Sequence, residues 1–374
     1  MSFIYLLIFV LILFSTLYEM YGNQEVSKPW YYTIVTIMIL TAGLAWGISP
    51  DWISYWNTFE GAAIVSFGAL SDLSEKLDME VGYLYINKII SSIGLGYGSF
   101  VLILAIVSIY LKTSTIFKYS GYVFLGLLMY MVSIYFYEDQ IQVRQGLANA
   151  ITIFSVRYII DRKLYPFLIC MVLAFLMHKS SIVFVFAYWI VLIKFNRNWV
   201  IITISLAIIA SLTGVSLLID GLLQLLPFGI GDKYDAYNTQ GLQSAESSLL
   251  GVIVKVLTVL AVVLFDKQAS ENDVYYPYFR NLYIFGVAMY FFFGGGIFAL
   301  RLPNFYLIFI AFMVPRMIFA LKENAALKNF IYITFLAYNM ALFVHVNNNT
   351  KDKAGFSYYR TIFDDRATYS FFLD

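Results

Sequence analysis

Arg144 sits in the stretch YEDQIQVRQGLANA, residues 137 to 150, with Glu138 and Asp139 just ahead of it, in a chain that is only 13% charged. Two more cations stand at the ends of strongly apolar runs: Lys179, directly after His178 in FLMHKSSIVF, and Arg301 in ALRLPNFYLIF. An arginine offers a planar fork that engages two oxygens of a phosphate, whereas a lysine is a more replaceable point charge. Arg144 and Arg301 are therefore candidates for stabilising negative charge that develops on a phosphate leaving group, with Lys179 third. Removing a proton from a hydroxyl nucleophile needs a base that acts late in the transition state. His178, Asp51, Glu80, Glu138 and Asp139 are the candidates, and His178 leads them because its unperturbed pKa lies near neutrality. The competing reading of His178 is a cap on the carbonyls of the helix it ends. Glu138 and Asp139 have a second reading as ion-pair partners that orient Arg144, and the cations have one as snorkelling interfacial anchors. Ser180 and Ser181 lack the G-x-S-x-G surround of a nucleophile elbow, which argues against acyl transfer.

The elements that hold these residues are read from hydropathy. Of the 374 residues, 61% are hydrophobic, and apolar stretches of about 18 to 20 residues, the length that crosses a bilayer, recur throughout. These stretches are apolar on every face, where the helices of a soluble domain would be amphipathic. The fold class is all-α: a polytopic integral membrane protein with a single transmembrane domain over residues 1–374. Twelve spans are expected, at 2–21, 30–48, 99–117, 121–137, 142–160, 164–178, 180–194, 198–217, 248–266, 278–296, 300–319 and 328–346. The first run, SFIYLLIFVLILF, has neither a basic leader nor an A-x-A cleavage site and reads as a retained helix. A net charge of +1 gives no footprint for nucleic acid. The single Cys170 excludes an internal disulfide and argues against a thiolate metal site.

Short loops rich in Lys and Arg stay on the cytoplasmic side. Alternate connections carry Lys28, then Lys112 and Lys118, then Arg157, Arg162 and Lys163, then Lys194 and Arg197, then Lys267 and Arg280, then Arg316, Lys322 and Lys328; these are assigned to the cytoplasm. The opposite side then receives both termini and two long periplasmic segments, 49–98 and 218–247. Arg144, Lys179 and Arg301 all fall at outer helix ends, where together they suit a polyanion. Lys255 lies within the ninth span and either snorkels or makes a contact inside the membrane. Residues 218–243 start as an amphipathic turn and either lie along the outer surface or form a passive loop. The glycines of FGGGIF, 293–298, would break the tenth span near its outer end. No D-x-D pair and no second loop histidine accompany the outer acids, so neither a metal nor another cofactor is expected.

Taken in chain order, ISPDWISYWNTFE with DMEVGYLYINKII, then IQVRQGLANAITIFSVRYIIDRK with FLMHKSSIVFVFAYWI, then ALRLPNFYLIFIAFMVP resemble the EpsG-like branch of the Wzy-type bacterial polysaccharide polymerases. The resemblance covers most of the chain and rests on Asp51, Glu80, Arg144, Gln145, His178, Ser180 and Arg301. It departs at LAWGISPDW, which has Trp46 and no basic residue where the family usually places an arginine. The resemblance implies a GT-C-like, multi-pass glycosyltransferase of the bacterial inner membrane. Such an enzyme transfers a growing glycan from undecaprenyl pyrophosphate onto a sugar hydroxyl of the next lipid-linked repeat unit, at the periplasmic face, by inversion or retention. Its partners are the lipid-linked oligosaccharide donor and acceptor and the membrane lipid, with room for a chain-length regulator. O-antigen, capsule and exopolysaccharide all stay open as products. In that setting His178, Arg144, Arg301 and Asp51 are expected to act on the reacting groups, and Lys179, Glu138, Asp139, Glu80, Gln145, Tyr55, Trp52 and Trp56 to hold substrate. Trp52, Tyr55 and Trp56 would stack on sugar faces, while Tyr83 and Tyr85 fit an interfacial aromatic belt better. Two other classes stay open. A flippase or transporter for the same lipid would place ionisable groups near the bilayer midplane; another outer-leaflet transferase, such as an O-antigen ligase or an acyltransferase, is separated only by the motif set.

Overall fold

The computed structural model describes residues 2–22, 25–49, 51–213, 249–293, 301–321, 324–348 and 359–364. Among them there is no strand, only an isolated antiparallel bridge between Ala45 and Thr361. Each of the twelve expected spans falls mainly on helix wherever it lies on described residues. Three helices there are long and apolar enough to cross a membrane, Phe3–Tyr21, Tyr97–Tyr119 and Ala325–Asn347. Shorter apolar helices accompany them at Leu164–Met177, Lys179–Ile190, Arg197–Leu212 and Asn304–Ala320. The protein is an all-α membrane protein. The expectations for 218–247 and for the glycines at 294–296 lie outside the described residues.

The chain forms two compact units, one of Met1–Ile182 with Ile333–Asp374 and one of Val183–Tyr332. In the first, α1 (Phe3–Tyr21) packs on α7 (Val123–Tyr130), and α2 (Lys28–Gly43) packs on α6 (Tyr97–Tyr119). Ser27 starts α2 by accepting from the Trp30 backbone N–H at 3.4 Å, with Pro29 in the first turn. Glu19 accounts for an acid inside the first apolar run. Its carboxylate accepts from the backbone N–H groups of Val123 at 2.6 Å and Phe124 at 2.9 Å, which the start of α7 otherwise leaves without partners. A π-helical stretch, Met131–Asp139, continues α7 and delivers Glu138 and Asp139 to the interior. The next helix, α8 (Val143–Ile160), packs on both α6 and α9 (Leu164–Met177).

The 49–98 segment, expected as a long outer connection, is itself helical. It contains α3 (Asp51–Ile64), α4 (Leu70–Leu77) and α5 (Val81–Ser92), closed around Ala62, Leu70 and Leu84. Aromatic contacts tie it to the start of α6, with Phe59 and Tyr83 at 5.4 and 5.7 Å from the Phe100 ring. Gly82 lets α5 approach α9, because a Cβ there would meet Leu176 at 2.6 Å.

The second unit contains α10 (Ala187–Ile190), α11 (Arg197–Leu212), α12 (Leu249–Asn272), α13 (Tyr276–Phe293), α14 (Asn304–Leu307) and α15 (Ile310–Ala320). Here the loop assignment of cations needs correcting. Arg280 lies inside α13, 4% exposed, paired with Asp266. Arg316 is in α15 and meets Asp273 Oδ2 at 2.7 Å, while Asp273 Oδ1 caps α13 by accepting from Tyr275 and Tyr276. Lys112, in the first unit, is likewise inside α6 and fully buried. Counting basic residues along a chain does not register a carboxylate partner that lets a cation stay within a helix. Lys255 Nζ donates to the Gly251 carbonyl at 3.2 Å and lies 4.0 Å over the Tyr290 ring.

Candidate functional site

Glu80 occupies the position before α5, with extended backbone dihedrals, and its side chain is turned inward, 3% exposed. Three groups converge on its carboxylate. Arg144 Nη1 donates to Oε2 at 2.5 Å, His178 Nδ1 stands 3.3 Å from Oε1, and the Lys179 backbone N–H donates to Oε1 at 3.2 Å. Arg144 is the second residue of α8, and its guanidinium lies over the Tyr55 ring at 5.6 Å and the Tyr83 ring at 6.0 Å. His178 closes α9: its backbone N–H bonds the Ala174 carbonyl at 2.9 Å while the ring reaches Glu80. The backbone of His178 thus ends the helix while its side chain faces Glu80.

Burial alone would raise the Glu80 carboxyl. The hydrogen bond from His178 and the charge of Arg144 outweigh it and hold the group well below the usual carboxylate range. A carboxylate committed to Arg144 and His178 is a weak proton acceptor. Its chemistry is to orient: a proton on His178 Nδ1 is the arrangement the carboxylate favours, and it leaves Nε2 as the basic nitrogen. Arg144 uses Nη1 on Glu80 and also bonds the Tyr55 side chain, so its guanidinium is held from two sides.

The other expected residues distribute unevenly around this centre. Tyr55 faces Arg144, and Tyr83, which fitted a membrane belt in the sequence, lies beneath the same guanidinium. Asp51 begins α3 and is exposed, and its charge acts on the Tyr55 hydroxyl. Trp52 packs among Trp46, Trp56 and Tyr97, with centroids 4.7, 5.4 and 5.8 Å away. Trp56 is 40% exposed and its Nε1–H donates to Glu60 at 3.2 Å. Tyr85 is exposed and stacks on Phe67. Arg301 belongs to the second unit and is half-buried.

Glu138 and Asp139 do not orient Arg144 by pairing with it. They are buried, and their cation is Lys112: Nζ lies 2.8 Å from Asp139 Oδ1 and 3.7 Å from Glu138 Oε2. Asn149 Nδ2 donates to both Glu138 oxygens at 3.1 and 2.9 Å, and Gln145 Nε2 lies 3.4 Å from Oε1, so Gln145 also turns away from Glu80 toward this cluster. The physical reason is the π-helical stretch, which swings the two acids against α6 while α5 brings its own acid to Arg144. Sequence reasoning missed Lys112, Ser108 and Asn149. The available signal was Ser108 and Lys112 four residues apart on one face of an apolar helix. Among the described residues, no three His, Cys, Asp or Glu side chains converge as a metal-ligand group.

The family model for EpsG matches residues 28–361. The chain belongs to the EpsG family. The matched stretch takes in Asp51, Glu80, Arg144, His178 and Arg301. Comparison with curated proteins and comparison with solved structures each return no match. EpsG membership together with the apolar helices gives the coarse reading: a membrane protein of polysaccharide biosynthesis with the character of a glycosyltransferase-like polymerase.

Proposed function

We propose that this EpsG-family protein polymerises lipid-linked oligosaccharide repeat units, moving a growing glycan from undecaprenyl pyrophosphate to a sugar hydroxyl of the next lipid-linked unit at the outer face of the membrane. The observation that carries the reading is the joining of Arg144, His178 and the Lys179 backbone N–H on the buried Glu80. In the reaction, the acceptor hydroxyl oxygen forms a bond to the anomeric carbon. The bond from that carbon to the pyrophosphate oxygen breaks, and its electron pair leaves with the pyrophosphate. The acceptor proton passes to His178 Nε2, with Glu80 holding the ring and stabilising the imidazolium. The Arg144 guanidinium stabilises the charge that grows on the leaving phosphate oxygens. The Lys179 ammonium is a further phosphate contact, and Asp51 is a second candidate to touch the acceptor. The half-exposed Trp56, with Trp52 beside it, offers a ring face for the sugars, while the buried Tyr55 holds Arg144. Glu138, Asp139 and Gln145 serve the site from within the protein.

The reading is tested in cells that depend on this protein for polymer. His178→Ala and Arg144→Ala are expected to leave the protein in the membrane at normal amount while single lipid-linked repeat units accumulate in place of polymer. Full-length polymer from both variants would overturn it. Repeat units trapped on the inner leaflet would move the assignment to a flippase.

A further inference from the structure

We propose that Glu138 positions Arg144 by setting the first turn of α8, an inference that rests on the reading of Arg144 and Glu80 as the reactive centre. Arginine is long, so a bond to Glu80 alone leaves the direction of the rest of its fork open; the backbone that carries it has to be fixed as well. The residues next to Arg144 are fixed on their inward side. Gln145 and Asn149 both donate to Glu138, Asn149 with one N–H group shared by the two carboxylate oxygens at 3.1 and 2.9 Å. Gly146, between them, is seated against the Glu138 carbonyl so closely that a Cβ would overlap it.

Glu138 and its neighbour Asp139 form one cluster. Lys112 of α6 faces both acids, at 3.7 Å from Glu138 and 2.8 Å from Asp139. The Tyr130 hydroxyl donates to Asp139 Oδ2 at 2.6 Å. Ser108 Oγ lies 2.6 Å from Asp139 Oδ1 and 3.2 Å from the Gly146 carbonyl, which joins α6 to the same turn of α8. All of these groups are buried. Two acids and a lysine in the interior are expensive unless each is paired and hydrogen-bonded, and here the pairing ends on Gln145, next to Arg144, and on Asn149, about one turn further along the same helix. Misplacing a reacting group by about 1 Å costs roughly a hundredfold in rate, so a turn fixed by charge-assisted bonds matters to turnover. Glu138 is thus a positioning residue that acts through Gln145 and Asn149.

The test reads position without any substrate. The full-length Cys170→Ser protein with Glu80→Cys and Arg144→Cys is crosslinked by a short and by a long bismaleimide, and the yields report the spacing of α5 and α8. Asn149→Ala is expected to lower the short-reagent yield severalfold and to leave the long-reagent yield. Glu138→Gln, which keeps an oxygen for Asn149, is expected to retain the short-reagent yield. The unfolding midpoint in detergent, compared between Asn149→Ala and its parent, reports whether the unit is folded. Unchanged short-reagent crosslinking in Asn149→Ala overturns the proposal, because Glu138 then does not set the spacing. A large drop in the midpoint of the same variant also overturns it, because the contact then holds the unit together instead of aiming Arg144. In a transfer assay, Asn149→Ala should lower kcat about tenfold to a hundredfold at unchanged donor KM. A crosslinking result as expected with no effect on transfer would leave the positioning intact and remove Arg144 from the chemistry.

Discussion

Arg144 and Glu80 divide the labour of charge. The carboxylate neutralises the resting guanidinium through Nη1, and in the proposed reaction the arginine answers a group that becomes more negative as transfer proceeds. Loss of a fixed donor to a developing oxyanion typically costs on the order of a hundredfold to a thousandfold in rate. Arg144→Ala is expected to show a loss of that size, and Arg144→Lys to recover only part of it, as measured by initial rates of glycan transfer. Glu80 makes a second prediction. Its carboxyl is held below the usual range in the folded protein, so it binds fewer protons folded than unfolded at mildly acidic pH, and its contribution to stability is full above the ordinary carboxylate pKa. That contribution fades as pH falls toward the depressed value. Thermal unfolding in detergent should therefore lose stability on acidification in the wild type, with a shallower slope in Glu80→Gln. Equal slopes would mean that the pair adds nothing to the fold.

At the scale of elements, the structure pairs charges that hydropathy had left separate. The Lys112 cluster joins α6, the π-helical stretch and α8, and removing one partner of such a buried pair typically costs about 3 to 5 kcal/mol because the other is left uncompensated. Lys112→Met should lower the unfolding midpoint strongly, and Lys112→Met with Asp139→Asn should recover much of the loss; additive losses in the double variant would show that the two side chains do not interact. The same cluster shows what was legible in the sequence. Arg144 and His178 were singled out by type and by position at helix ends, and the structure brings them to one carboxylate. The identity of that carboxylate was not legible. Glu138 and Asp139 are near Arg144 along the chain and Glu80 is far, yet the packing of α5 on α9 at Gly82 brings Glu80 in, and the π-helical stretch takes the nearer acids away. Tyr83 was misread for the same reason, since its neighbour in space comes from α8.

For the whole molecule, the hydropathy pattern located the helices well because a segment that is apolar on all faces leaves the chain little alternative. The distribution of Lys and Arg was a poorer guide, since Lys112, Arg280 and Arg316 are helix residues with buried carboxylate partners and say nothing about loops. The orientation therefore calls for its own measurement. In the Cys170→Ser background, a cysteine at Ser71, exposed on α4, is expected to react with an impermeant thiol reagent in intact spheroplasts, while one at Asn324 is not; the reverse pattern would put the Glu80 centre on the cytoplasmic side. The central claim, that the group around Glu80 transfers glycan from a lipid pyrophosphate, is tested most directly with purified protein in vesicles supplied with lipid-linked repeat units. Wild-type protein is expected to build a ladder of polymer and release the lipid pyrophosphate, in excess EDTA as well, while His178→Ala and Arg144→Ala, equally folded, leave the repeat units single. A wild-type ladder that both variants reproduce, or one that EDTA abolishes and magnesium restores, would contradict the account.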